Sequence, residues 1–270
     1  MFIKSIPLPP FEDASLDVIC ITDDTGLNHL PRPAVVIFPG GGYKYLSVRE
    51  AEPVAIQFLA AGFATFIMRY SVGENIKVGT TPIPETALAI RYLKENAAEF
   101  NVDPDRIFLC GFSAGGHAAA SLGVYWNSDL LRKFDKDTTK FRPTGMILSY
   151  PVITGGDFAH KNSVKTYFNT EEPTQEQIDF FSLELHVTKD TVPTFLWHTA
   201  TDGTVPVKNS LMFANALLEN EIPVELHIYP DGPHGLSLAS EETSIQKEKL
   251  NIPHVQSWLP LAIEWTKGIK

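Results

Sequence analysis

The sequence predicts an α/β fold, a mostly parallel central sheet with helices on both faces. Short β-branched runs alternate along the chain with longer stretches of helical periodicity. The runs are continuously apolar rather than alternating, as in strands buried on both faces, and parallel strands need crossover helices to join them. At 270 residues, 44% hydrophobic and 20% charged, the chain reads as one domain over 1–270 whose core buries roughly three quarters of the unfolded surface.

The expected strands, in order, are LDVICI (16–21), AVVIF (34–38), ATFIM (64–68), RIFLC (106–110), GMILSY (145–150), TFLWH (194–198) and ELHIY (225–229). Helical spacing marks 47–61, 84–100, 114–125, 207–220 and 254–267. In the second of these, Ala89, Ile90, Leu93, Ala97 and Phe100 share a face, and Pro84 sits where a first-turn proline is tolerated. The stretch 155–190 breaks the alternation, being richer in polar and aromatic residues, and is expected to be a small cap or lid insertion.

Composition excludes several classes of function. A net charge of −10 without a Lys/Arg cluster argues against nucleic acid. No apolar run is long enough for a membrane helix or for a signal peptide, so a soluble cytoplasmic protein with no membrane partner is expected. Cys20 and Cys110 stand in strand-like runs without ligand spacing and read as reduced, buried thiols. There is no HExxH, paired CxxC, GxxxxGK, or GxGxxG with an acidic residue downstream. The expectation is therefore no metal and no cofactor. A homo-oligomer is left open.

The chemistry concentrates at Gly111-Phe112-Ser113-Ala114-Gly115, a GxSxG between the strand RIFLC and an alanine-rich helical stretch. A serine in a sharp strand-to-helix turn stands clear of the sheet, which is the nucleophile elbow of the α/β-hydrolase fold. A serine hydroxyl needs a base, and the base needs a partner that fixes its tautomer. In that fold the order is Ser, then Asp or Glu, then His, each on a loop after a strand. Asp202 follows TFLWH and His234 follows ELHIY.

Rival residues fit less well. Among the other histidines, His29 precedes the sheet core, His160 and His186 lie in the expected cap, and His254 begins the last helix. His117 sits one turn beyond the nucleophile and points back into packing, while His198 and His227 belong to strands. Asp231 is too near His234 to reach its far nitrogen, Asp190 lies at the wrong end of its strand, and Glu225 is a strand residue. The three glycines of Phe38-Pro39-Gly40-Gly41-Gly42-Tyr43, after an early strand, offer free N–H groups to a developing oxyanion, and Ala114 offers another. Tyr43, beside that loop, is a candidate substrate-binding residue.

With these blocks in place, the sequence resembles small bacterial carboxylesterases of the α/β-hydrolase superfamily, described as acetyl-xylan-esterase-like or lipase/esterase-like. The likeness runs through PAVVIFPGGGY, ATFIMRYS, RIFLCGFSAGGHAAA, TVPTFLWHTATDGTVPVKNS and VELHIYPDGPHGLSL to a last helix with Trp258 and Trp265. It implies a triad of Ser113, Asp202 and His234, and an oxyanion hole from Gly41, Gly42 and the Ala114 N–H. Related esterases usually begin the glycine block with histidine, where this chain has Pro39. The expected activity is hydrolysis of a small-molecule ester with a short acyl group, acetyl before others and acetylated sugars among them, through a covalent acyl-enzyme. A peptidase or arylformamidase using the same triad is the alternative.

Overall fold

The computed structural model describes residues 2–21, 30–73, 81–245 and 250–269. Eight strands form one sheet: β1 (Phe2–Leu8), β2 (Phe11–Cys20), β3 (Arg32–Phe38), β4 (Ala64–Arg69), β5 (Val102–Phe112), β6 (Gly145–Ser149), β7 (Thr194–Thr199) and β8 (Val224–Tyr229), in the spatial order β1-β2-β4-β3-β5-β6-β7-β8. From β4 across to β8 every neighbouring pair is parallel. The β1–β2 and β2–β4 pairs are antiparallel. The sheet is thus the mostly parallel one expected, with a further edge strand, β1, whose signal was hidden by Pro7, Pro9 and Pro10 around its end.

Among the described residues the helices are α1 (Glu52–Ala60), α2 (Pro82–Glu95), α3 (Ala114–Tyr125), α4 (Asp129–Arg132), α5 (Lys161–Phe168), α6 (Gln175–Phe181), α7 (Lys208–Glu219) and α8 (Trp258–Gly268). Three of the expected helices are shorter, because 3-10 turns at Val48–Glu50, Ala97–Phe100 and Val255–Ser257 take up part of each. Proline in the first turn starts α1 and α2, where its missing N–H costs nothing.

Side-chain alternation divides the core between the two faces. Ala34, Val36 and Phe38 of β3 pack with α2, α3 and α7, through residues such as Leu93, Ala118 and Phe213. Val35 and Ile37 pack on the other face with Phe58 of α1 and Trp258 of α8. Both sides of the central strands are therefore apolar, as the unbroken hydrophobic runs required.

This topology positions the site. The chain builds β3 and then β4 outward, then returns to place β5 on the other side of β3. The carboxyl ends of β3 and β5 consequently flank a switch point, where open parallel sheets leave a crevice for ligands. The glycine loop follows β3 and Ser113 follows β5.

The segment 155–190 folds as α5, α6 and a 3-10 turn at Leu183–Leu185. A capping box, Thr174 with Gln177, starts α6. No helix of the described residues is long and apolar enough to cross a membrane.

Candidate active site

Ser113 lies between β5 and α3 with φ 52° and ψ −120°, a conformation that side chains rarely adopt. Its neighbours hold it there: its N–H donates to Ser149 O at 3.1 Å, and its carbonyl accepts from Val152 N at 3.0 Å and His117 N at 3.2 Å. Close approach makes the turn possible. A Cβ on Gly115, one helical position beyond Ala114, would run into the carbonyls of Phe38 and Pro39.

The three sequence-predicted residues meet. Ser113 Oγ–H donates to His234 Nε2 at 2.7 Å, and His234 Nδ1–H donates to Asp202 Oδ2 at 2.6 Å. Asp202 Oδ1 accepts from the backbone N–H groups of Thr204 and Val205, both at 2.9 Å. Burial pushes the Asp202 carboxyl up, but hydrogen bonds from His198, His234 and Val205 outweigh it and hold the group well below the usual carboxylate range. It therefore stays an anion, able to stabilise an imidazolium. A hydroxyl, an imidazole and a carboxylate in this order can move the serine proton onto the imidazole as the oxygen attacks a carbonyl carbon.

The cavity at Ser113, about 330 Å³, is lined by Gly41, Gly42, Tyr45, Glu50, His160 and His234 among others. Gly41 has φ +130°, and a Cβ there would overlap the Tyr45 carbonyl, so glycine is required. Among the described residues nothing accepts from the N–H of Gly41 or Gly42. Ala114 is the first residue of α3, where an N–H has no partner within the helix. These are the donors a developing oxyanion needs.

One expected site residue does not reach the cavity. Tyr43 is fully buried, with its hydroxyl 2.7 Å from His117 Nδ1 and its ring edge-on to Tyr70 and Tyr167. Its φ of 63° turns it inward, so it packs the glycine loop onto α3 rather than meeting substrate. Tyr45, 62% exposed, is the tyrosine at the cavity.

Of the rival residues, His117 is buried as expected and its Nε2 lies 2.9 Å from Phe181 O. Burial pulls its pKa down to about 4. Asp231 braces its loop through Thr201 Oγ1 at 2.6 Å, and His29 lies outside the described residues.

Five other residues bear on the site: the sequence reading placed His160 in the expected cap and His198 in a strand, and gave Arg49, Glu50 and Tyr150 no role. His198, at the end of β7, lies beside Asp202, with Nε2 3.2 Å from Oδ2 and 3.0 Å from Val205 O. His160 lines the cavity and is braced by Ser163 Oγ at 2.8 Å. Glu50 is buried and accepts from Gly40 N–H at 2.9 Å and from Tyr150 O–H at 2.6 Å. The Tyr150 hydroxyl in turn accepts from Ser237 N–H at 2.8 Å, while its ring meets the His234 imidazole with centroids 5.0 Å apart. Arg49 donates to Gly235 O at 3.0 Å and Thr243 O at 2.7 Å.

One 3-10 turn therefore ties the glycine loop to the histidine loop. The Tyr70 hydroxyl adds a bond to Pro39 O at 2.5 Å. Glu50 and Tyr70 thus brace the loop whose first position is Pro39 instead of histidine. Nothing in the pattern around Arg49 and Glu50 marked them, since both sat within an ordinary expected helix. Among the described residues no group of three or more His, Cys, Asp or Glu side chains is arranged to hold a metal ion.

The chain is 37% identical to endo-1,4-beta-xylanase B of Butyrivibrio fibrisolvens over 213 residues, 78% of this chain and 33% of that protein. It is 26% identical to acetylxylan esterase of Xylanibacter ruminicola over 242 residues, 88% of this chain and 47% of that protein. The chain thus spans between a third and a half of the length of these curated relatives.

Among solved structures, the acetyl ester-xyloside bifunctional hydrolase of Caldicellulosiruptor lactoaceticus superposes with a TM-score of 0.82 at 33% identity, covering 98% of this chain and 96% of that one. A carboxylesterase of Lactobacillus plantarum gives 0.84 at 28% identity, covering 99% and 98%. The BD-FAE family profile matches residues 25–217. With that match over most of its length and a full-length likeness to solved esterases, the chain belongs to the BD-FAE family and has the α/β-hydrolase fold.

Proposed function

We propose that the chain is a serine carboxylesterase that hydrolyses short-chain acyl esters, acetyl esters above all and those of sugars among them, through a covalent acyl-enzyme on Ser113. The observation that carries this reading is the unbroken relay from Ser113 Oγ through His234 to Asp202, at 2.7 and 2.6 Å, at the wall of an open cavity.

His234 Nε2 takes the hydroxyl proton as Oγ attacks the ester carbonyl. The N–H groups of Gly41, Gly42 and Ala114 stabilise the oxyanion. His234 then returns the proton to the leaving alcohol and activates water to release the acid. Short acyl groups are favoured because no aliphatic side chain lines the cavity among the described residues. The printed names of the acetylxylan esterase and acetyl ester-xyloside hydrolase relatives support acetylated sugars. The segment 155–190 acts as the cap, a role supported by His160 and Asn162, at its start, in the cavity wall. Free, buried Cys20 and Cys110 support a reducing compartment, the cytoplasm.

The test compares wild type and Ser113→Ala on p-nitrophenyl acetate, butyrate, octanoate and palmitate, with a matched p-nitroanilide alongside. Acetate-selective turnover that falls about 10⁴-fold or more in the variant is expected. Cleavage of the anilide alone would favour the amide-hydrolase alternative.

A further inference from the structure

The cavity at Ser113 adjoins a second one. Lys44 and Asn162 line both, and the second, about 380 Å³, continues along α5 past Lys165 and Thr166 to Asn169 and Glu171 in the turn that follows. Every side chain on its walls ends in an amide, hydroxyl, ammonium or carboxylate. An acyl chain would gain little there, because polar groups predominate on the walls. A hydroxyl-rich group would gain much, since each asparagine amide offers donors and an acceptor at once and can match a diol.

The charges in the groove face one another. Lys165 Nζ lies 2.7 Å from Glu171, whose carboxyl is held below its usual range by Lys165 first and by Lys44 as well. The groove opens into the cavity at whose wall His234 stands. Asn162 follows two residues after His160, and burial together with the charge of nearby His234 lowers the His160 pKa. His234 is the group that returns a proton to the leaving alcohol in the reaction proposed above. Each cavity is in the size range that takes a drug-sized ligand, so together they exceed what one sugar ring requires.

We infer that this α5 groove is a leaving-group subsite, holding the sugar units of an oligosaccharide ester beyond the unit that carries the acyl group at Ser113. The inference rests on the esterase reading and adds that the preferred alcohol is a chain of sugars rather than a single one.

The experiment measures kcat/KM on acetylated xylose, on acetylated xylo-oligosaccharides of increasing length and on p-nitrophenyl acetate, which has no sugar. Wild type, Thr166→Trp and Asn169→Gly are compared. Glycine preserves the left-handed backbone of Asn169, and tryptophan fills the groove. In wild type, kcat/KM rises with chain length, mainly through KM. The ratio of oligosaccharide to p-nitrophenyl acetate turnover then falls about fivefold in Asn169→Gly for one lost hydrogen bond, and further in Thr166→Trp. A wild-type kcat/KM independent of chain length, with p-nitrophenyl acetate turnover intact, overturns the subsite alone. Equal ratios in all three proteins do the same. Absence of Ser113-dependent p-nitrophenyl acetate hydrolysis removes the esterase reading and the subsite with it.

Discussion

Glu50→Gln probes how the two loops of the site are held. The carboxylate accepts from Gly40 N–H at 2.9 Å and from Tyr150 O–H at 2.6 Å, one bond to each oxygen. The amide keeps one acceptor and turns the other into a donor. If the NH₂ faces Gly40, two donors confront each other. If it faces Tyr150, the hydroxyl already accepting from Ser237 loses the acceptor for its own hydrogen. Tyr150 cannot escape by ionising, because burial, which the substitution leaves in place, pushes its pKa well above the ordinary value.

Either arrangement loses one hydrogen bond to a charged acceptor and strands one buried donor. The cost is about 2 to 3 kcal/mol of stability, or a Tm lower by about 4 to 6 °C for a chain of this size. Loss of a whole oxyanion donor costs about 10² to 10³ in kcat, and a glycine loop that has slipped should forfeit about tenfold with KM little changed. Tyr150→Phe breaks the same network from its other side. The double variant should therefore be less damaged than the sum of the singles by about 1 kcal/mol or more. Esterase kinetics and thermal melts on the four proteins measure both effects. A Glu50→Gln enzyme with wild-type kcat, or single effects that add within about 0.5 kcal/mol, would refute the reasoning.

Three further outcomes are expected. Asp202→Asn removes the anion facing His234 while leaving an oxygen for Thr204 and Val205, so kcat should fall about 10⁴-fold without loss of fold; steady-state kinetics and circular dichroism check this. Gly115→Ala forces a Cβ into the Phe38 and Pro39 carbonyls and should cost about 2 kcal/mol or more in urea melts, whereas Gly203→Ala, with nothing within 4 Å, should be nearly neutral.

The third concerns pH. Burial pushes Glu85 up to about 7 from its ordinary 4.5, against opposing hydrogen bonds from Ser71, so its contribution to stability is full below 4.5 and declines as pH rises to 7. Burial pulls His117 down to about 4 from 6.5, so its contribution is full above 6.5 and declines as pH falls to 4. Each is on the order of 3 kcal/mol, and they oppose each other over nearly the same window. Glu85→Gln should therefore gain stability with rising pH between 4.5 and 6.5 relative to wild type, and parallel pH profiles in urea melts would contradict this.

The central strands and their helices were legible because burial on both faces leaves unbroken apolar runs such as AVVIF and RIFLC, and because GxSxG stood between a strand and a helix. Those local signals also led to Ser113, Asp202 and His234, since in this fold each follows a strand. The rest depended on contacts between distant segments. Tyr43 looked like a substrate contact because it adjoins the glycine loop, but its positive φ swings it against His117, 74 positions later. Glu50 meets Tyr150 across 100 positions and Arg49 meets Gly235 across 186, distances at which no local pattern announces a partner. The edge strand β1 was obscured by prolines that an edge tolerates and a central strand would not.

The central claim, that Ser113 is the nucleophile activated by His234, is tested most directly by covalent trapping. Wild type, Ser113→Ala and His234→Ala would each be treated briefly with diethyl p-nitrophenyl phosphate, which leaves a stable diethylphosphoryl group on an activated serine, and the products digested for peptide mass spectrometry. The account predicts one adduct in wild type, on Ser113, none in Ser113→Ala, and labelling slowed by several orders of magnitude in His234→Ala. An adduct on another residue, or undiminished labelling without His234, would contradict it.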